Sequence, residues 1–400
     1  MENLHKELLK HKFIVFGFDH YNALGAVRSL GEKGIRPILI IHKELNKRPM
    51  LAYNSRYIDK HHIVETVADG CKLIVEKYYD PDYKPFILSC DDFVESYIDL
   101  HSSTLSKIAY IFHGRKEGII TELMGKNEIS NLASKCGCRI PRAEVVVNGV
   151  LPKNLRYPVI TKSIKSIEGG WKKDVYVCYS PQELTEAFKH IESEEIKVEE
   201  FIEKENELCI DGISVNNGED VIIPLETSYL RVLPGQYGNY MLFKKFENQV
   251  VLSQVKAIMR ESGYNGVFCV EYLIAKDGNL YFLEVNWRNS GWSYAFTYGG
   301  VNLLYEWCIA QITGDLDIPR ISRQITDIPF KAIAEKQDFV DYVLSGRMPF
   351  LQWVKDYINT ECKFWYNGND KMPIFCYMAN VIKKKVIKIG YKLIGKKFKD

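Results

Sequence analysis

The chain has 400 residues, 46% of them apolar and 26% charged, with a formal net charge of +2. At about 150 residues per domain this length implies two or three cores, and the composition excludes a wholly disordered chain, a collagen-like fibre and a polytopic membrane protein. The longest run without an acid or base, Asn289–Tyr305, has 17 residues broken by Gly291, Gly299 and Gly300, a poor bilayer span. The amphipathic N-terminus, MENLHKELLKHKFIVFGFDH, lacks the apolar run and small-residue cleavage site of a secretory signal. Ten scattered cysteines include no Cys-x-x-Cys pair and read as reduced thiols of a cytoplasmic protein. Charge is uneven: residues 371–400 hold nine lysines and one acid, leaving 44 bases and 50 acids in the remainder.

In chain order, Phe13–Phe18 reads as a short buried strand, Asn22–Lys33 as a helix stopped by Gly34, and Ile38–Ile41 as the next strand. That order implies a right-handed parallel crossover. Lys72–Tyr79 is a second helix and Phe86–Ser89 another strand; Gly17 and Gly25 do not form a dinucleotide fingerprint. Lys126–Cys136 is helical. From Pro158 to Cys209 the pattern is strand, Gly169-Gly170 turn, strand, helix from Pro181, strand. Ile210–Val215 and Val221–Pro224 form a hairpin around Asn217-Gly218, Asn248–Ser262 a helix, and Val267–Ala275 with Leu280–Val285 a second hairpin around Asp277-Gly278. The expectation is mixed α/β and α+β architecture.

The second hairpin carries the densest chemistry. Strict alternation places Glu284, Asn286 and Arg288 on one strand face and Tyr281, Leu283 and Val285 on the other, with Glu271 across the hairpin. Two carboxylates and an amide oxygen are hard donors suited to magnesium held with phosphate oxygens, and Arg288 could stabilise a developing phosphoryl charge; a solvated polar face is the competing reading. Lys162 ends a strand and Lys126 opens a helix, where lysines reach phosphates and Gly169-Gly170 allows close backbone approach; solvated surface charge competes. Val198-Glu199-Glu200-Phe201-Ile202 could hold a purine edge and Glu207 a ribose, against a merely solvated acidic run.

In this order and spacing, the pieces from Phe13 to about Asp315 resemble the ATP-grasp family. The resemblance implies a Rossmann-like preATP-grasp domain over residues 1–112, an ATP-grasp domain over 113–318 with a lid at about 155–202, and a C-terminal extension over 319–400. It implies ATP, with Lys126 and Lys162 on its phosphates, Glu199 and the Ile202 backbone at the adenine, and Glu207 at the ribose. Glu271, Glu284 and Asn286 would hold one or two magnesium ions, manganese being an alternative, and Arg288 would serve the transferring phosphoryl group. The implied activity is ligation of a carboxylate to an amine or other nucleophile through an acyl phosphate, with release of ADP and phosphate. Within the family, Ala23–Gly34 (ALGAVRSLGEKG) and Asn54-Ser55-Arg56-Tyr57 resemble carboxylate–amine ligases and short carbamoyl-phosphate-synthase-like proteins of cell-surface pathways, D-aspartate ligase included. Trp287 departs from the family, where proline or threonine is commoner. A non-catalytic ATP-binding scaffold at a membrane and a carbamoyl-phosphate-like enzyme remain open.

Arg231, before a loop at Gly235–Asn239, could fork a substrate carboxylate or make a salt bridge. Trp292 could line an acceptor pocket or sit in the core. Phe375, Met378, Ile382, Val386, Ile389 and Leu393 recur at helical spacing, with Lys385, Lys388, Lys392 and Lys396 on a neighbouring face. That is an amphipathic basic helix, for which an anionic membrane surface and packing on the acidic body compete. Candidate partners are thus a small-molecule or envelope-precursor carboxylate, an amine acceptor, an anionic membrane surface and a second copy in a homodimer; nucleic acid is not expected. The expected location is the cytoplasm, or the inner face of the plasma membrane.

Overall fold

The computed structural model describes residues 2–44, 51–164, 174–233 and 236–393, with side chains to Lys383. Strands β1 (Phe13–Gly17), β2 (Ile38–His42), β3 (Lys60–Val64) and β4 (Phe86–Ser89) form a parallel sheet in the order β3-β2-β1-β4. FIVFG and ILIIH are buried at every position, as continuous apolar runs are when helices cover both faces. Alternate residues feed two cores. Phe13, Val15, Leu39 and Ile41 join the main core with Leu24, Val27 and Leu30 of helix Tyr21–Glu32. Ile14, Phe16, Ile38 and Ile40 pack with Val67, Ile74, Val94 and Ile98 of helices Val67–Tyr78 and Asp92–Leu100. The former helix starts five residues before the expected Lys72, because Thr66 and Asp69 make a capping box there.

A smaller antiparallel sheet, β5-β8-β6-β7, contains β5 (Ala143–Val147), β6 (Val159–Ser163), β7 (Val177–Cys178) and β8 (Glu195–Glu200). Val159, Leu184, Phe188, Ile196 and Val198 give it a core of its own beneath helix Pro181–Phe188.

The large sheet is built from β9 (Lys204–Val215), β10 (Asp220–Ile222), β11 (Leu225–Arg231), β12 (Tyr240–Lys245), β13 (Gly266–Ala275), β14 (Leu280–Asn286), β15 (Phe330–Ile333) and β16 (Cys362–Lys363). Its order is β14-β13-β9-β11-β12-β15-β16, with β10 hairpinned onto β9 through a turn where Asn216, Asn217 and Gly218 all have positive φ. The sheet therefore continues past residue 318. The C-terminal segment adds β15 and β16, and it is tied to the first domain by a buried ion pair. Arg28 Nε donates to Asp370 Oδ2 at 3.0 Å, both side chains fully buried. Its remaining donors reach the Phe364 and Trp365 carbonyls, while Asp370 also accepts from Ser55 Oγ and the Arg56 N–H.

Two outcomes follow for stability. Asp370→Ala strands a buried guanidinium and is expected to cost about 3–5 kcal/mol in urea unfolding. Glu335 is buried and accepts the Trp365 and Tyr366 N–H groups; burial pushes its carboxyl up from 4.5 to about 7. The folded protein thus holds that proton more tightly than the unfolded chain, so stability falls as pH rises from about 4.5 through 7. Glu335→Gln is expected to remove that part of the slope, read from thermal midpoints across this range.

Candidate active site

Three neighbouring strands, β9, β13 and β14, aim a set of polar side chains from one face of the large sheet. Their register sets three rows. Glu207, Leu273 and Tyr281 lie opposite one another, then Cys209, Glu271 and Glu284, then Asp211, Cys269 and Asn286. The other face is core: Val270, Tyr272, Phe282 and Val285 are buried there. Strict alternation misplaces Tyr281. The register shifts between Glu271/Glu284 and Tyr272/Phe282, leaving Leu283 as an extra residue. This bulge turns Tyr281 onto the carboxylate face and Phe282 into the core. Trp287 is fully buried, edge-on to Tyr264.

Hydrogen bonds chain the carboxylates to Arg288. Asn286 Nδ2 donates to Glu271 Oε1 at 3.0 Å, and Arg288 Nη2 donates to Asn286 Oδ1 at 2.9 Å. Arg288 Nε donates to Asp92 Oδ1 at 3.1 Å, so the first domain holds the guanidinium in place. Burial raises the Glu271 carboxyl well above the usual range, and the neighbouring Glu284 and Glu207 raise it further. Glu284 opens to solvent on the cleft side, yet desolvation at the cleft floor, followed by Asp92, raises it too. Two facing carboxylates that resist ionising together suit a bound divalent cation. Glu271, Glu284 and the Asn286 amide oxygen supply oxygen donors appropriate to magnesium or manganese. Glu207, Cys209 and Glu271 also bring ligand atoms within 4.8 Å of one another. Burial drives the Cys209 thiol well up, however, and a protonated thiol is a poor ligand for a hard cation.

Cationic side chains face this floor. On the small sheet Lys162 and Lys197 are register partners, and Glu199 lies between them. Lys162 Nζ is hydrogen-bonded to Glu199, and Lys197 Nζ lies 3.5 Å from Glu199 Oε2 and donates to Ser130 Oγ at 3.0 Å. Burial, then repulsion from Lys162, lowers the Lys126 pKa, opposed by Glu284 and Glu199. Lys197 is lowered by burial as well. Lys197 is not among the sequence candidates; its signal is its position two residues before Glu199 on the same strand. Glu200, Phe201 and Ile202 line an open cleft of about 510 Å³ with Arg142, Arg156 and Tyr281. Glu207 is paired with Lys204 at 2.8 Å.

Other sequence candidates lie elsewhere. Gly169, Gly170 and Gly235 fall outside the described residues. Arg231 is forked onto Asp338 (2.5 and 2.9 Å) and bonded to Asp356 (2.6 Å), between the rings of Tyr240 and Tyr342. The salt-bridge alternative is what the structure holds, anchoring the C-terminal segment to β11. Trp292 is buried, stacked on Tyr21 and tilted against Phe364, so it is a core tryptophan.

Residues 138–295 match the ATP-grasp domain, so this stretch of the chain is similar to that family. The chain is 26% identical over 208 residues to an N5-carboxyaminoimidazole ribonucleotide synthase of Staphylococcus epidermidis, covering 48% of this chain and 52% of that one. The chain thus spans about half the length of this curated relative. Its fold is similar to that of L-amino acid ligase from Bacillus licheniformis, with a TM-score of 0.60 at 14% identity over 80% of this chain and 79% of that one. It is also similar to N5-carboxyaminoimidazole synthetase from Staphylococcus aureus complexed with ADP, with a TM-score of 0.60 at 14% identity over 85% and 86% of the two chains.

Because Cys209 is a protonated neighbour, Cys209→Ser is expected to leave magnesium affinity within roughly threefold of the parent, whereas Glu271→Gln weakens it at least ~10-fold. Calorimetric titration of magnesium in the presence of ADP reads both.

Proposed function

We propose that the protein is an ATP-dependent ligase that activates a carboxylate as an acyl phosphate and joins it to an amine or another nucleophile. The observation that carries this reading is the facing pair Glu271 and Glu284, with Glu271 linked through Asn286 to Arg288 and Glu284 within electrostatic reach of Lys126 and Lys162. It is a constellation for binding polyphosphate with a divalent cation, and it needs no protein nucleophile.

In this reading the purine edge meets the backbone of Glu199–Ile202, and Glu207 takes the ribose. Lys126 and Lys162 hold phosphate oxygens, which compete with Glu199 for Lys162. Lys197 keeps Glu199 oriented as the lid strand approaches. Glu271, Glu284 and Asn286 would hold magnesium, which when bound neutralises charge on the phosphates. Arg288, steadied by Asp92, donates to the oxygens of the phosphoryl group in flight. The substrate carboxylate oxygen forms a bond to the γ-phosphorus as the bond from that phosphorus to the β–γ bridging oxygen breaks, and ADP departs with the electron pair. The amine then attacks the acyl carbon and phosphate leaves, the amine proton passing to solvent.

The acid and the amine belong to two candidate classes. The likeness to L-amino acid ligase supports an amino or peptidyl carboxylate. The name of the curated relative, N5-carboxyaminoimidazole ribonucleotide synthase, points to a carboxylated amine as product and so supports bicarbonate as the acid. A place in cell-envelope synthesis rests on the resemblance carried by Ala23–Gly34 and Asn54–Tyr57 alone.

Incubation with ATP, magnesium and pooled acids, with and without hydroxylamine, tests the chemistry. ADP together with a trapped hydroxamate is expected with an organic acid. ADP formation that depends on bicarbonate and gives no hydroxamate selects the second class. AMP with pyrophosphate, or ATP binding without any turnover, defeats the proposal. Glu284→Gln and Arg288→Ala are each expected to lower kcat at least ~100-fold with little change in thermal midpoint.

A further inference from the structure

The C-terminal helix Met372–Leu393 presents two different faces. Ile374 and Tyr377 pack against the main core, where Tyr377 lies edge-on to Trp365 with ring centroids 4.8 Å apart and beneath Lys336 at 5.2 Å. This contact fixes how the helix leaves the body. On its outward side Met372, Phe375, Met378 and Ile382 are 55%, 57%, 53% and 58% exposed, and nothing in the chain covers them among the described residues. Large apolar side chains seldom stand in a row on a free helix face. By sequence, Val386, Ile389 and Leu393 continue the same spacing along a helix that extends to Leu393. Residues 371–400 hold nine lysines against a single acid, Asp400.

We infer that this helix lies on an anionic lipid surface, its apolar face in the headgroup region and its lysines on acidic headgroups, tethering the ATP-grasp body to a membrane. The charge selects the occupant. A second copy would bring another nine lysines against these and repel them, while a neutral apolar protein groove would leave the lysines without counter-ions. An acidic bilayer satisfies both features at once. No described helix is long and apolar enough to cross a membrane, so the contact is one of lying on the surface. The site of catalysis plays no part in this inference, which stands whether or not the ligase reading does.

The full chain should be floated with vesicles of phosphatidylcholine alone and of phosphatidylcholine with roughly one-third phosphatidylglycerol. At least ~10-fold more protein is expected on the acidic vesicles, declining as salt is raised. The triple variant Phe375→Ser, Met378→Ser, Ile382→Ser changes only exposed side chains, and an unchanged thermal midpoint checks its fold. It is expected to lose at least ~10-fold in vesicle binding, as is Lys384→Gln, Lys385→Gln, Lys388→Gln. Equal binding to both vesicle types, binding to neither, or full binding by the serine variant overturns the inference. Self-association in the absence of vesicles, abolished by the serine substitutions, also overturns it by making a second copy the occupant.

Discussion

The site depends on a repulsion. Glu207, Glu271 and Glu284 lie in adjacent rows on one sheet face, with Asp211 a row further on. The hydrophobic packing of the opposite face prevents them from separating, because Val270, Tyr272, Phe282 and Val285 fix the same strands in a dry core. At an effective dielectric near 20, two such charges about 4 Å apart repel by roughly 4 kcal/mol before burial adds its own penalty. Burial is the larger cause of the upward shifts of Glu271 and Glu284; repulsion adds to it, from Glu284 and Glu207 at Glu271 and from Asp92 at Glu284. A fold that concentrates negative charge so closely is suited to a function in which a divalent cation and a polyphosphate arrive together.

The positive side chains come from separate parts of the fold. Lys126 starts the helix Lys126–Lys135, Lys162 and Lys197 belong to the small sheet, and Arg288 extends from the carboxylate strand itself. Each alignment is set by a contact to a different element. Arg288 is held by Asp92 of the first domain, and the backbone next to it by Asn22, whose Nδ2 donates to both the Asn289 and Cys90 carbonyls at 2.7 Å. The C-terminal segment then locks the first domain through Arg28 and Asp370. The two stretches that carry the subgroup resemblance meet at this contact. Arg28 lies in ALGAVRSLGEKG, and Ser55 and Arg56 lie in NSRY; all three bind Asp370. In this structure those residues form a clasp between the first domain and the C-terminal segment.

Much of this was legible because it rests on local periodicity. Short runs such as FIVFG and ILIIH, bounded by turn residues, read as doubly covered strands, and the spacing of Glu284, Asn286 and Arg288 follows from a short strand. What escaped depended on contacts between distant segments. The extra residue at Leu283 is invisible to an alternating count, since only pairing with Glu271 and Tyr272 reveals which residue drops out of register. Lys197 acquires its role from Lys162 and Ser130 across two elements. β3 reads KHHIV, too polar to stand out, because an edge strand needs only one covered face. β15 and β16 are short strands that exist because the large sheet offers them an edge, and Arg231 is an anchor because Asp338 and Asp356 fold back upon it.

The lid carries its own counter-ion. Glu199 is buried between Lys162 and Lys197, so the two lysines stand in a partly desolvated site with a carboxylate already shared between them. Were the lysines unpaired, their mutual repulsion would push the lid strands away from the cleft or their burial would favour deprotonation. With Glu199 present both ammonium groups have a counter-ion, and under the proposed function a phosphate oxygen would replace the Glu199 contact to Lys162 while Lys197 keeps the other. Glu199, which the family resemblance puts at the adenine, is in this structure the residue that holds Lys162 and Lys197 together.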